Sequence, residues 1–236
     1  MVENFKTTAV LLKRQLKISI YLPKDYNLNE NKYPLIYVLD GQKMFHSLDD
    51  NEKLFDLPSI LDEMNAKCIC VGIHSPKNNE WRISEVCPYY KKDDSDIDPK
   101  LSYNLANYIM NDVHSIITDR YRISDNISIL GFNESALLAL YMTYHFDSIN
   151  SCGVFSPTLS ICENVIDDIN NHYDENKNIY LYHGGIDDQN TNHFYNLYTF
   201  LEKMKPNKLK LIYEENEDNT STYWQKHICD FINFIL

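Results

Sequence analysis

Hydrophobic and polar residues along this chain alternate between two kinds of segment. Short, almost continuously apolar runs are typical of strands that are buried on both faces, whereas an apolar residue at every third or fourth position is typical of a helix. The first kind predicts eight strands, of which the first two form an antiparallel pair: TAVLLKR, LKISIYLP, YPLIYVLDGQ, KCICVGI, ISILGF, SCGVFSP, IYLYHGG and LKLIYE.

Helical spacing separates most of these strands. It predicts helices near 52–65, from Leu101 to Ile117, over 134–145, near 160–171, near 191–203 and over 222–235, with a long polar loop over about 74–100. Strands that alternate with helices predict the α/β class, here a mainly parallel sheet of about eight strands with helices on both faces. Because the chain shows neither internal repeats nor a linker, residues 1–236 are predicted to form a single domain.

The six glycines mark one edge of this predicted sheet. Each lies near the carboxyl end of a predicted strand: Gly41, Gly72, Gly131, Gly153, Gly184 and Gly185. Glycine permits a tight turn or a close approach of the backbone, and ligands of open α/β sheets bind beyond the carboxyl ends of the strands. The pattern therefore predicts a cleft at this edge, although the geometry of the turns accounts for part of it.

Composition and charge limit the partners of the protein. A chain of 236 residues is long enough to bury a core without metals or disulfides. The net charge of −12 argues against nucleic acid and against an anionic membrane surface as partners. No apolar run approaches the roughly 20 residues that span a bilayer, and charges interrupt every apolar stretch near the N-terminus, so no secretory signal is expected.

The six cysteines predict free thiols in a reducing compartment. They are scattered through predicted core segments rather than spaced as a disulfide framework. Cys68 and Cys70 form a C-x-C pair within a strand, so both sulfurs point to one face, and the C-x-x-C pairs of zinc sites do not occur. We therefore expect a cytoplasmic protein with neither a cofactor nor a metal.

Three stretches together resemble the putative-esterase branch of the α/β-hydrolases. They are YPLIYVLDGQKMF at 33–45, NEWRISEVCPY at 79–89 and ISILGFNESALLALY at 127–141. The likeness continues in family order through GVFSPTL, IYLYHGGID and the C-terminal tail, so it covers nearly the whole chain. This branch includes enterochelin-type siderophore esterases, esterase D and feruloyl esterases. The resemblance implies the α/β-hydrolase fold, a Ser–His–acid triad and an oxyanion hole of backbone N–H groups.

Carried over by position, two members of the family's triad fall on asparagines in this chain. The nucleophilic serine falls on Asn133, and the histidine, five residues before Trp224, falls on Asn219. The other positions that the resemblance implies are the acid at Asp187 or Asp188 and the oxyanion N–H groups, that of Glu134 and one near Gly41 and Gln42.

These two asparagines remove the chemistry of the triad. The amide nitrogen of Asn133 is delocalised into its carbonyl and is not a nucleophile. Asn219 cannot accept and return a proton near neutral pH, as an imidazole does. Asparagine tolerates the positive φ of the nucleophile turn better than most residues, so Asn133 keeps the turn and discards the nucleophile. The alternative is drift in a chain that is rich in asparagine.

Other residues offer alternative catalytic assignments. Ser156 and His183 each follow a predicted strand and form a candidate pair, with Asp187 or Asp188 nearby. A shift in register would instead place the base at His227.

Arg82 and Glu85 in WRISE resemble an R-x-x-E element at the border of the family's cleft. Arg82 would either hold a carboxylate or phosphate-like ligand with two hydrogen bonds, or form an ion pair with Glu85 or another acid. Glu134 would either lie beside the oxyanion hole or stabilise the start of a helix through the helix dipole.

The leading hypothesis is a pseudo-esterase that binds a small-molecule ligand or a protein partner in the former active-site cleft. It rests on Asn133 and Asn219 in an otherwise retained frame. The second hypothesis is an active carboxylic-ester hydrolase that uses other residues, such as Ser156 and His183. The third is a structural or oligomerising protein whose cleft is vestigial.

Overall fold

The sheet has about the number of strands and the mainly parallel arrangement that the strand pattern predicts, but the first strand is misplaced in that prediction. It spans Val2–Ala9, and Val10–Leu12 within the predicted strand TAVLLKR form a 3-10 turn. The computed structural model describes residues 1–45, 55–90, 98–186 and 188–236. Its eight-stranded sheet has the order β1-β2-β4-β3-β5-β6-β7-β8. The strands are β1 Val2–Ala9, β2 Arg14–Tyr21, β3 Tyr33–Leu39, β4 Ile69–Ile73, β5 Ile123–Phe132, β6 Ile149–Phe155, β7 Asn178–Gly184 and β8 Lys208–Glu214. Strand β2 runs antiparallel to β1 and β4, and the other neighbours are parallel, which confirms the predicted fold class.

Helices cover both faces of this sheet. They are α1 Leu57–Glu63, α2 Asn79–Val86, α3 Lys100–Tyr108, α4 His114–Arg120, α5 Glu134–His145, α6 Val165–Asn171, α7 Asp188–Met204 and α8 Ser221–Ile235. A π-helical turn, Ile109–Val113, joins α3 to α4, so the helix predicted from Leu101 is present but changes pitch in its middle. None of the described helices combines the length and the apolar composition that a membrane crossing needs.

The hydrophobic core has two layers, one on each face of the sheet. Leu35, Tyr37 and Leu39 of β3 pack with residues of α3, α5 and α7. Ile36 and Val38 point the opposite way and pack with residues of α1 and α8. Each of these five side chains is at most 1% exposed. A strand buried on both faces has no polar alternation, which explains the continuous apolar run in its sequence.

The segment predicted as a long polar loop contains a helix, so that prediction is wrong over α2. The side chain of Asn78 caps this helix by accepting a hydrogen bond from the backbone N–H of Trp81 at 2.9 Å. Val86 packs into the core, but Arg82 and Glu85 of the same helix are also buried. Buried charged residues interrupt the apolar periodicity, and the hydrophobic pattern therefore does not reveal the helix.

Three helices begin later or earlier than the periodicity predicts. Helix α1 begins at Leu57, after the N-cap residue Asp56, and the part of the prediction at 52–54 lies outside the described residues. Helix α6 begins at Val165, after a 3-10 turn at Leu159–Ile161 and the left-handed residue Asn164, whose φ is 58°. Helix α7 begins at Asp188, three residues before the predicted start.

The cysteines agree with the predicted free thiols. All six are free in the structure. Cys68 and Cys70 lie in the same core layer with their sulfurs 3.9 Å apart, which confirms that both point to one face of the sheet.

Candidate functional site

The turn at the carboxyl end of β5 is built around one residue. Strand β5 ends at Phe132 and α5 begins at Glu134, so Asn133 alone makes the turn, with φ 52° and ψ −120°. Its backbone N–H donates to the carbonyl of Phe155 at 2.9 Å. A positive φ is unfavourable for most side chains but is tolerated by asparagine. The turn therefore has the strand–turn–helix form in which a nucleophile is presented at the top of a sheet.

Two neighbours of Asn133 make this turn tight. A Cβ atom on Gly131 would lie 2.2 Å from the backbone oxygen of Ser135, so only glycine lets the first turn of α5 approach the strand. The hydroxyl of Ser135 accepts from the N–H of Phe132 at 3.0 Å and donates to the carbonyl of Phe132 at 2.9 Å. Ser135 is fully buried, and its hydroxyl therefore holds the turn rather than facing the cleft.

Gly131→Ala is expected to destabilise the protein by about 3 kcal/mol or more, because the added methyl group meets rigid backbone. Urea denaturation followed by circular dichroism measures the change. Gly153→Ala is the matched control, since its Cβ would meet only side chains, those of Leu130 and Phe231, from 2.8 Å. An effect of Gly131→Ala no larger than that of Gly153→Ala would contradict the close approach of α5.

A buried ion-pair network borders the turn. The Arg82 guanidinium donates from Nε to Asp40 Oδ1 at 2.8 Å and from Nη2 to Asp40 Oδ2 at 2.5 Å. Its Nη1 donates to Glu134 Oε2 at 2.9 Å. Burial by itself raises the pKa of Asp40, but the charge and hydrogen bonds of Arg82 outweigh it and lower the pKa to about 2. Asp40 is therefore ionised at neutral pH, and α2 is clamped to β3 and to the start of α5.

This network corrects the pairing considered for the R-x-x-E element. Glu85 does not pair with Arg82; it accepts from Arg14 of β2, at 2.8 Å and 2.6 Å. The acids that hold Arg82 are Asp40 and Glu134. The guanidinium edge that would grip a carboxylate or phosphate ligand with two hydrogen bonds is occupied by Asp40. Glu134 turns its carboxylate toward Arg82 and also provides the acidic residue in the first turn of α5.

Asp40 is the residue of this site that the sequence analysis missed. It lies directly after β3, within the quoted stretch YPLIYVLDGQ, and has a left-handed backbone with φ 56°. An acidic residue immediately after a buried strand, beside a glycine, is the signal that was available. Its partner lies 42 positions further along the chain, and this distance hid the pairing.

The stretch predicted to supply an oxyanion N–H follows Asp40. Gly41–Lys43 forms a 3-10 turn, and a Cβ on Gly41 would lie 2.6 Å from the backbone of Gly72. The side chain of Gln42 accepts from the N–H of Ser75 at 2.9 Å. This turn is therefore held against the end of β4. Its assignment as an oxyanion donor, like that of the Glu134 N–H, stays a prediction.

Asn219 has a definite structural contact in the loop between β8 and α8. Its side-chain oxygen accepts from the N–H of Gly184 at 2.8 Å, and its side-chain nitrogen donates to the carbonyl of Gly184 at 3.2 Å. Both ends of the amide thus bind the carboxyl end of β7. Of the candidate acids, Asp187 lies outside the described residues, and Asp188 is described only as the first residue of α7.

The alternative catalytic pair is directed to opposite faces of the sheet. Ser156 follows β6 with φ 49°, and its Oγ accepts from the indole N–H of Trp224 on α8 at 2.9 Å. His183 is fully buried and stacks on Phe194 of α7, with the ring centroids 4.7 Å apart. Because α7 and α8 pack in different core layers, this geometry does not favour Ser156 and His183 as a catalytic pair.

His227, the other candidate base, lies on α8. Its ring stacks on Tyr182 with the centroids 4.6 Å apart, and its Nε2 is 3.2 Å from Glu214 Oε2. The imidazole is thus partnered by a carboxylate of β8.

The fold and the turn at Asn133 define an α/β-hydrolase-type domain. The chain belongs to the family described as "Putative esterase", whose model matches residues 9–227.

Solved structures with the same fold are distant in sequence. An IroE-like serine hydrolase from Shewanella oneidensis superposes with a TM-score of 0.79 at 16% identity, over 98% of this chain and 79% of the other. The enterobactin esterase from Shigella flexneri gives a TM-score of 0.77 at 14% identity, over 99% and 59% of the two chains. An S-formylglutathione hydrolase from Agrobacterium tumefaciens gives a TM-score of 0.72 at 12% identity, over 99% and 94%. No curated protein sequence gives a significant match to the chain.

Proposed function

We propose that this esterase-family domain binds a small ligand or a protein partner in the cleft at the carboxyl ends of its strands and does not hydrolyse it. The observation that carries the proposal is Asn133. It has the positive φ of a nucleophile turn, yet its side chain is an amide that no base can turn into a nucleophile.

The contacts of Asn219 support the same conclusion. An amide does not exchange a proton near neutral pH, and both polar ends of this one are engaged by Gly184. A residue in this role fastens the loop before α8 to the end of β7. It leaves the cleft without an imidazole at the position that the family resemblance assigns to the base.

The retained frame supports binding rather than a vestigial cleft. Arg82, Asp40 and Glu134 keep a buried ion-pair network at the border of the cleft, and Gly131 keeps the tight turn. Burying charges is costly unless they are paired and hydrogen-bonded, so this network holds the cleft wall in one defined arrangement. Trp81, which precedes Arg82 on α2, exposes 62% of its surface and offers an aromatic face on which a flat group can stack.

The proposal also covers the cellular location of the protein and the classes of partner that its charge disfavours. Six free cysteines suit the reducing environment of the cytoplasm, and a net charge of −12 disfavours nucleic acid and anionic membrane surfaces. An active ester hydrolase that uses Ser156 and His183 is the alternative. The contacts of those two side chains, with Trp224 on one face and Phe194 on the other, do not favour it.

A serine-directed fluorophosphonate probe tests the proposal on the natural chain. We expect no covalent labelling and no burst of p-nitrophenol from an activated ester, because the described site has no activated hydroxyl. A trypsin-like serine hydrolase serves as the positive control for both reagents. Labelling that disappears in Ser156→Ala would contradict the proposal and support the alternative hydrolase.

A further inference from the structure

We propose that His145, Asp168 and His172 form a binding site for one divalent transition-metal ion such as Zn²⁺. His145 is the last residue of α5, Asp168 lies within α6, and His172 directly follows α6. Their ligand atoms all lie within 4.8 Å of one another. Two imidazoles and a carboxylate form a donor set that suits Zn²⁺, Ni²⁺, Co²⁺ and Cu²⁺.

The spacing of the ligand atoms fits such an ion. His145 Nε2 lies 3.1 Å from both carboxylate oxygens of Asp168, and His172 Nδ1 lies 3.2 Å from Asp168 Oδ1. Metal–ligand bonds of about 2.0–2.2 Å place neighbouring ligands of a tetrahedral ion about 3.3–3.6 Å apart. Both histidine–carboxylate distances are within a few tenths of an ångström of this spacing, and the ligand nitrogens of the two histidines lie within 4.8 Å of each other.

The surroundings hold these side chains in place. The Tyr89 hydroxyl donates to Asp168 Oδ2 at 2.8 Å, as outer hydrogen bonds commonly orient a ligating carboxylate. The ring of His145 stacks on Tyr141 and also contacts the ring of His172 at an interplanar angle of 39°, and both centroid distances are 3.9 Å.

The site is open to solvent on one side. The side chains of His145 and Asp168 are 20% and 23% exposed, and that of His172 is 43% exposed. An ion can enter from solution, and water can complete its coordination. His172 Nδ1 is also 2.9 Å from the backbone oxygen of Asp168, and coordination through Nδ1 replaces that contact.

This site is separate from the cleft. Helix α5 has 12 residues, which corresponds to about 18 Å, and Asn133 precedes its first residue while His145 is its last. An ion at His145 would tie α5 to α6 and leave the cleft open. The cysteine spacing gave no indication of a metal, because these ligands come from two helices that meet only in the folded chain.

A second cluster, formed by Glu214, Glu217 and His227, has comparable spacing. One of its carboxylates is already paired with the ammonium group of a lysine. Lys226 Nζ donates to Glu217 Oε1 at 2.5 Å. We therefore assign the metal to the first cluster and use the second as an internal control.

Titration calorimetry with Zn²⁺ on the full chain, stripped of metal by a chelator, tests the assignment. We expect one ion per chain. His145→Gln and His172→Gln are each expected to weaken binding at least tenfold, and Tyr89→Phe is expected to weaken it less. His227→Gln is expected to leave it unchanged. The Co²⁺ complex is expected to show visible d–d bands without the near-ultraviolet charge-transfer band of a cysteine ligand.

Folding of each variant is checked by its metal-free unfolding temperature. His172→Gln is the most informative variant, because a half-exposed residue after a helix is replaced without disturbing the core. Absence of Zn²⁺ binding by the natural chain would overturn the assignment. Binding that survives in His172→Gln, or that is lost in His227→Gln, would overturn it as well.

Discussion

Asn133→Ser combined with Asn219→His is expected to turn the protein, which we propose to be inert, into an esterase, with a gain of at least ~100-fold in the hydrolysis of short-chain p-nitrophenyl esters. The serine would occupy the turn with φ 52°, where a hydroxyl is presented to the cleft. The histidine would supply the base that the serine needs. Asn133→Ser alone is expected to stay near the background rate, because a serine without a base is a weak nucleophile.

The second substitution also has a structural cost. Asn219→His removes both hydrogen bonds to Gly184, so the double variant is expected to unfold at a lower temperature than the natural chain. Asn133→Ala with Asn219→His is the matched control, since it loses the same two hydrogen bonds to Gly184 and has no nucleophile. A folded double variant that gains nothing over this control would show that at least one of the two positional assignments is wrong.

The same variant identifies the acid. Asp187→Asn and Asp188→Asn, each added to the active double variant, are expected to differ, with the larger loss at the residue that orients the new histidine. Equal and small losses would place the acid elsewhere.

Arg82→Met is expected to destabilise the fold by about 3–5 kcal/mol, because it leaves the Asp40 carboxylate buried and uncompensated. Asp40 is 2% exposed, and its two oxygens accept from Arg82 at 2.8 Å and 2.5 Å. Urea denaturation at pH 7 measures the loss. Lys67→Met is the control for an exposed ion pair, that with Asp25 at 2.8 Å, and is expected to change stability by less than about 1 kcal/mol.

Arg82→Met combined with Asp40→Asn shows how much of the lost stability comes from the unpaired charge of Asp40 and how much from the lost packing of the Arg82 side chain. The double variant is expected to be more stable than Arg82→Met alone, since the unpaired charge that remains is that of Glu134, whose side chain is 20% exposed, and no longer that of the buried Asp40. A loss for Arg82→Met no larger than that of Lys67→Met would contradict the buried network.

The contribution of Asp40 to folding stability depends on pH with a definite sign. The folded-state pKa of Asp40 is about 2, below its ordinary value of 3.8, so the folded state binds this proton less readily than the unfolded chain does. Asp40 therefore adds about 2 kcal/mol to the free energy of unfolding above about pH 4, and this contribution is lost as the pH falls toward 2. This part of the acid denaturation profile is expected to be absent in the double variant.

Although it misplaced the first strand, which spans Val2–Ala9, the sequence by itself determined the other strands, their mainly parallel arrangement and the turn at Asn133. Each depends on residues close together in the chain. Leu35 to Leu39 form a continuous apolar run because both faces of β3 are covered, and Gly131 stands where α5 approaches the strand. Local patterns report local geometry, and alternating strands and helices leave few topologies open.

Only the tertiary structure decided which side chains meet. Arg82 is separated from Asp40 by 42 positions and from Glu134 by 52, and Asn219 from Gly184 by 35. These separations also explain why α2 was missed: its buried charges are acceptable only with partners from distant elements. His145 and Asp168 meet in the same way, through the packing of α5 against α6. No hydrophobic period encodes such pairings, because the three-dimensional packing of the elements brings the partners together.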